Sequence, residues 1–231
     1  MQKTGLHCVG FIMDGNRRFA KAEGLPSIEG HKKGFEVFQQ SIDWVTEANI
    51  AHAVYYAFST ENWQRAKAEV SYLMDLFFVV LDNFEQEIEE KGKRVQFKVI
   101  GRIEDFSTKL QNKIKRLEEK SKATEGEKLT TVWIALSYGG RAEILEAVNK
   151  AVSKGLPVVE EDFDQLLWSA NLPDPDMIVR TSGEQRLSNF MTWRSVYSEL
   201  YFIDKHWPAL TESDFKDILK AYEQRERRRG T

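Results

Sequence analysis

The chain has 231 residues, 42% of them apolar and 30% charged, and its formal net charge is −3. That length supports one well-cored unit, and no linker-like stretch divides it, so residues 1–231 read as a single domain. The mildly acidic balance excludes general attraction to nucleic acid or anionic lipid, so any anion site must be built locally.

The first apolar run, Cys8–Met13, has the length and composition of a fully buried strand. Asp14, Gly15 and Asn16 follow as turn and N-cap types, and Arg17 onward can open a helix. Further strands are predicted at Ala53–Phe58, Val95–Ile100, Thr130–Leu136, Met177–Arg180 and Leu200–Ile203. Helices are predicted over 30–48, 68–91, 105–122, 140–153, 160–170, 188–198 and 211–226. This alternation predicts an α/β fold with a central, mostly parallel six-stranded sheet flanked by helices. Such sheets bind ligands at the carboxyl ends of their strands. Four of those ends carry suggestive polar groups: Asp14, Ser59–Asn62, Ser137–Gly140 and Arg180–Gly183. Cys8 is the only cysteine, which excludes an intrachain disulfide and points to a reducing compartment. No secretory leader is apparent, and the longest strongly apolar run, Leu76–Leu81, is too short to span a bilayer.

Two stretches carry anion chemistry. In Phe11-Ile-Met-Asp14-Gly15-Asn16-Arg17-Arg18-Phe19, a strand passes through a tight polar turn into a helix start, with two arginines alongside. Helix N-termini and guanidinium groups both hold phosphate oxygens. Asp14 would repel such a ligand unless a metal ion sat between them, which argues for a Mg²⁺–diphosphate site. The second stretch, Arg180-Thr-Ser-Gly183-Glu-Gln-Arg186-Leu187-Ser188-Asn-Phe190, repeats that chemistry after another strand, with Ser188 expected near a helix start. Gly30-His31 reads as a second anion-facing turn. The loop Ser59-Thr60-Glu61-Asn62-Trp63-Gln-Arg65 has the composition of a binding loop. The helix after Glu69 is apolar nearly all round, which fits either a central core helix or one wall of an apolar tunnel.

With these motifs in their order, the chain resembles the cis-prenyltransferases, the undecaprenyl diphosphate synthase family, from His7 to Gly230. The markers are residues 11–18, Gly30-His31, Tyr56–Trp63 with Arg65, residues 180–190, Tyr197–Phe202 and Arg228-Arg-Gly230. The resemblance implies condensation of an allylic diphosphate, such as farnesyl diphosphate, with isopentenyl diphosphate, each round adding five carbons with a new cis double bond. It also implies Mg²⁺ as cofactor, an apolar tunnel between sheet and helices, and a cytoplasmic homodimer with peripheral membrane contact for product release left open.

Carried over by position, Asp14 assists Mg²⁺-dependent ionisation, with Glu199 also approaching the metal. Gly15, Asn16, Arg17, Arg18 and His31 hold the leaving diphosphate, and Arg180, Arg186 and Ser188 bind that of isopentenyl diphosphate. Asn62 assists proton removal, while Ser59, Thr60, Glu61, Trp63 and Arg65 shape the boundary between the two substrates. Phe19 and Leu187 fall within the same motifs as substrate-binding residues, and Arg228 and Gly230 would reach the neighbouring subunit's site. Many bacterial relatives place an arginine where this chain has Ser27, so one contact to the allylic diphosphate is altered. Trp44, Phe77, Phe78 and Phe84 are candidates for the tunnel floor. Two rival readings, a non-catalytic partner subunit and a Mg²⁺-dependent phosphohydrolase, are separated from this one by an elongation assay.

Overall fold

The computed structural model describes residues 5–92, 95–155 and 158–225. Six strands form one sheet: β1 (Cys8–Ile12), β2 (His52–Ser59), β3 (Val95–Ile100), β4 (Thr130–Tyr138), β5 (Met177–Thr181) and β6 (Glu199–Ile203). Their order is β3-β4-β2-β1-β5-β6, and every pairing is parallel. All residues of β1, β4 and β5 are buried, as expected of strands covered on both faces. The helices are α1 (Asn16–Ala22), α2 (Ser27–Glu47), α3 (Lys67–Lys91), α4 (Thr108–Lys120), α5 (Gly140–Lys154), α6 (Glu160–Asp164) and α7 (Glu212–Glu223). A 3₁₀ turn, Thr60–Gln64, links β2 to α3.

One face of the sheet is covered by α2, α3, α4 and α7, whose Phe38, Ile42, Leu81, Phe84, Leu117 and Phe215 join a continuous core. The other face is covered by the segment around Leu172, Phe190 and Met191, and α5 packs outside it through Ala147 against Phe163 and Leu167. β1 lies between β2 on one side and β5 on the other, so the chain order reverses there. Crevices at the carboxyl ends of strands at such a switch point are where open α/β sheets bind ligands.

Three expectations are corrected. No helix spans 188–198: Ser188, Asn189 and Met191 have φ of 49°, 66° and 46°, the left-handed region, so a right-handed helix cannot pass through them. Phe190 turns inward instead, so close to Gly10 that a Cβ there would stand 3.0 Å from its ring. Helix 160–170 shrinks to α6. Gly30-His31 is not a turn, because α2 already starts at Ser27 and carries both residues. Gly30 is needed for close packing: a Cβ would come within 2.1 Å of the Asn16 carbonyl oxygen, and one at Gly34 within 2.1 Å of Asn16 Oδ1.

Candidate active site

β1 ends at Ile12, and the Asp14 amide turns back to donate to the Ile12 carbonyl at 2.9 Å. Gly15 then takes φ 105°, a region that favours glycine, and a Cβ there would also collide with Ser182 Oγ and His206 Nδ1 at 2.5 and 2.8 Å. The Asp14 carbonyl is fixed by two donors, the Thr181 hydroxyl at 2.7 Å and the Trp207 amide at 3.0 Å. The turn is therefore set by β5 and by the chain after β6, not by local sequence.

The Asp14 carboxylate receives Arg180 Nη2 at 2.8 Å and Arg18 Nη2 at 3.1 Å, both on Oδ2. Burial raises the Asp14 pKa, but the Arg180 hydrogen bond and charge, with Arg18 behind them, outweigh it and hold the carboxyl below the usual carboxylate range. Arg180 is only 3% exposed, and its Nη1 donates to Ser188 Oγ at 2.8 Å and the Arg186 carbonyl at 2.5 Å. One buried guanidinium thus spans the two anion-binding stretches.

Two polar pockets meet at this pair. The first, of about 620 Å³, is walled by Asp14, Gly15, Asn16, Arg17, Arg18, Lys21, Ser27, His31 and Arg65. The second, of about 560 Å³, is walled by Asp14, Asn16, His31, Ser59, Glu61, Asn62, Arg65, Arg180, Ser188 and Asn189. Asn16 and His31 also reach a third space, an apolar cleft between the sheet and α2 and α3, lined by Phe35, Phe38, Leu76, Phe77, Leu136 and Trp207. At this junction Asn16 Oδ1 and Arg180 Nε are buried without a hydrogen-bond partner. Orphaned polar atoms are rare in native interiors, and their clustering marks a place equipped to meet a polar ligand.

His31 is held neutral first by burial and then by the Arg65 charge, which together push its pKa below the ordinary imidazole value. Its Nε2 lies 3.6 Å from Glu69, which also takes Arg65 at 3.0 Å and Arg17 at 4.0 Å. Glu69 was not anticipated; it sits in the first turn of α3, and Arg65, in the extended segment just before that helix, reaches it from outside. Asn62 is oriented by the Ser59 amide, which donates to its Oδ1 at 3.1 Å.

Other predicted residues are not brought to the pockets. Trp63 turns away: its indole donates to Ser137 Oγ at 2.8 Å, and its ring packs on Phe58 and Phe106. Thr60 faces Gly139, Arg186 is exposed with its guanidinium on Glu184, and Phe19 and Leu187 line neither polar pocket. Glu199 is at the wrong end of the sheet. It pairs with Met177, which pairs with Val9, five residues before Asp14; at about 3.3 Å per residue that is roughly 16 Å away within one chain. Its carboxylate instead receives Arg225. Arg228 and Gly230 lie outside the described residues.

Of the tunnel-floor candidates, Phe77 lines the cleft and Phe84 is fully buried, edge-on to Phe38 and tilted against Phe97. Phe78 faces α4, with Lys109 over its ring, and Trp44 packs on Phe215. The helix α3 therefore serves as core and cleft wall at once.

The sequence matches the undecaprenyl diphosphate synthase family model over residues 12–230. It is 47% identical over 227 residues to an isoprenyl transferase of Thermotoga maritima, covering 96% of this chain and 95% of that protein. It is 40% identical over 229 residues to a ditrans,polycis-undecaprenyl-diphosphate synthase of Micrococcus luteus, (2E,6E)-farnesyl-diphosphate specific, covering 96% and 90%. The fold superposes with a TM-score of 0.91, at 31% identity and 100% coverage of both chains, on lavandulyl diphosphate synthase from Lavandula x intermedia, crystallised with dimethylallyl diphosphate. With a family match over nearly its whole length and relatives above 40% identity, the chain belongs to the undecaprenyl diphosphate synthase family of prenyltransferases.

Proposed function

We propose that the chain extends an allylic diphosphate, such as farnesyl diphosphate, with isopentenyl diphosphate, forming new Z double bonds and releasing diphosphate. The observation that carries this reading is the 2.8 Å contact between Asp14 and Arg180. Through it, two basic pockets share a wall beside an apolar cleft, the layout needed to hold two diphosphates with a hydrocarbon tail leading away.

In this reading Gly15, Asn16, Arg17, Arg18 and His31 hold the allylic diphosphate, and Arg180 with Ser188 holds that of isopentenyl diphosphate. Each diphosphate carries about three negative charges near neutral pH, by the same second ionisation that gives a phosphoryl group nearly two. The local arginines therefore matter more than the acidic total. Breaking the allylic C–O bond moves charge onto the leaving group, where preorganised donors act most strongly. The apolar cleft keeps water from the carbon left electron-poor. Asn62 is no base; its carboxamide orients the condensing partner, and the departing diphosphate accepts the proton.

The donor set fits Mg²⁺. Among the described residues no three His, Cys, Asp or Glu side chains group to cage a metal, which leaves Asp14 plus substrate phosphate oxygens, the sparse oxygen ligation that Mg²⁺ favours. Bound there, it would supply Lewis-acid neutralisation of the leaving group. Homodimerisation is part of the proposal. It is supported by Leu145 and Val152, seven residues apart on α5, and by Val196 and Tyr197, all of them exposed. No helix among the described residues is long and apolar enough to cross a membrane. A cytoplasmic enzyme that touches the membrane only to release product fits that observation.

The test is chromatography of products formed from labelled isopentenyl diphosphate, farnesyl diphosphate and Mg²⁺. Products lengthening by five carbons are expected. Phosphate release without growth would establish the phosphohydrolase reading instead, and no turnover would establish the partner-subunit reading.

A further inference from the structure

We propose that Asn189 is a positioning residue that ties the second pocket's two walls together and holds the Glu61 carboxylate away from an incoming diphosphate. The inference deepens the prenyl-transfer reading and rests on it.

Helix α5 opens at Gly140 behind Gly139, and neither residue has a side chain to cap it. The cap comes from 48 residues downstream. The Asn189 carbonyl accepts from the Gly140 amide at 2.7 Å, and its Oδ1 accepts from the Arg141 amide at 2.9 Å. The other end of the same carboxamide, Nδ2, donates to Glu61 Oε1 at 2.9 Å. The chemistry fixes this orientation, because only oxygen can receive the Arg141 N–H and only the NH₂ can donate to a carboxylate. Gly139 supplies the gap: a Cβ there would stand 2.7 Å from both Asn189 Nδ2 and Thr60 Oγ1. The backbone also suits the residue, since φ at Asn189 is 66° and asparagine tolerates that region well.

Asn189 thus joins three pieces that share no covalent neighbourhood: the start of α5, the loop after β5 and the turn after β2. The residue before it, Ser188, takes Arg180 on its hydroxyl and the Tyr56 hydroxyl, at 3.3 Å, on its carbonyl. Glu61 and Asn189 both wall the pocket assigned to isopentenyl diphosphate. Burial raises the Glu61 pKa, but the Asn189 hydrogen bond heads the contacts that bring it below the usual range, so the carboxylate is charged. A free carboxylate beside a diphosphate repels it. One engaged with Asn189 is turned toward the amide and partly neutralised. Asn189 therefore acts through Glu61 on the binding of one substrate, without contacting the reacting atoms.

The test keeps the cap and reverses the second bond. Asn189→Asp retains the acceptor for Arg141, a favoured capping type, but sets a carboxylate against Glu61. The expected result is a KM for isopentenyl diphosphate raised about tenfold, the scale of one hydrogen bond to a charged group, with the allylic KM and Tm held near the parent's. Adding Glu61→Gln restores a donor–acceptor pair with reversed polarity, and KM should return to within about threefold of the parent's. Asn189→Ser, too short to reach Glu61, should reproduce the rise even if the Asp variant does not fold. Parent-like KM in the Asp or Ser variant, no rescue by the double variant, or a loss shared by both substrates in step with Tm would overturn the inference. A parent enzyme that does not elongate would overturn the prenyl-transfer reading itself, so the two failures are separate.

Discussion

Replacing Asp14 with Asn should tighten binding of a metal-free diphosphate while nearly abolishing turnover, an unusual pairing that follows from the geometry. The carboxylate now occupies two arginines, Arg180 at 2.8 Å and Arg18 at 3.1 Å. Asn keeps an oxygen for Arg180 but removes the negative charge, so both guanidiniums become available to an anion. A unit charge about 6 Å from a ligand, at an effective dielectric of about 20, is worth roughly 3 kcal/mol; screening at this half-exposed rim reduces that to about 1–2. Affinity for inorganic diphosphate without Mg²⁺ should therefore rise about five- to thirtyfold. Turnover should fall by at least about a hundredfold, as expected when a key electrostatic group is lost from the leaving-group side. Isothermal titration gives the first quantity and steady-state elongation the second. Weaker diphosphate binding by Asp14→Asn would refute the view that the carboxylate competes for these arginines, and near-normal elongation would refute its catalytic assignment.

Three further outcomes are expected. Gly30→Ala gains about 1 kcal/mol of helix propensity but drives a methyl to within 2.1 Å of a backbone oxygen. Overpacking of about 1–3 kcal/mol or more should win, lowering Tm by a few degrees and weakening diphosphate binding through the displaced Asn16; calorimetry and titration check both. His31 is held neutral by burial and Arg65, and a bound diphosphate opposes that bias, so binding should take up a proton. Titration in buffers of different ionisation enthalpy should detect that uptake near pH 7 in the parent and less of it in His31→Gln. Burial, helped by His7, holds His52 down to about 4, and its Nδ1 accepts the Trp133 indole N–H at 3.2 Å. The unfolded chain binds that proton first, so stability should be full above pH 6.5 and fall between there and about pH 4; His52→Asn should flatten that segment of a Tm-against-pH profile.

The sheet is legible because β1, β4 and β5 are buried on both faces, and the other three strands are rich in apolar and aromatic residues; all six predicted ranges fall within one or two residues of the observed ones. Asp14 and Arg180 were legible as chemistry, but their contact depends on the pairing of Ile12 with Arg180, a register no local pattern reports. The same non-locality explains Glu199. The predicted strand Leu200–Ile203 already puts Glu199 at a strand start, but only the parallel ladder shows that this start lines up with Val9, away from Asp14. The segment 188–198 has helical apolar spacing, yet the loop is pinned by Arg180, Tyr56 and the α5 terminus in a left-handed path. Tertiary hydrogen bonds there override local preference. Gly30 reads as a turn former because glycine signals both freedom and close approach, and sequence does not separate the two.

The cleft sets the remaining constraint. Its open space is about 90 Å³, less than the 150 Å³ or so of a cavity that admits a single benzene ring. In the proposed reading, a fifteen-carbon primer calls for one wall to move. The sheet side cannot yield, since Leu136 and Ile134 belong to a central strand paired on both edges. On the helix side, Leu76 and Phe77 are only half-buried and Val79 is more than half exposed, while Leu73, Val80 and Leu81 of the same helix are buried in the core. Phe84, fully buried one turn beyond Leu81, packs against Phe38 and Phe97. The wall of the cleft with the least burial is therefore α3 around Leu76 and Phe77, and the fixed boundary is the sheet together with Phe84.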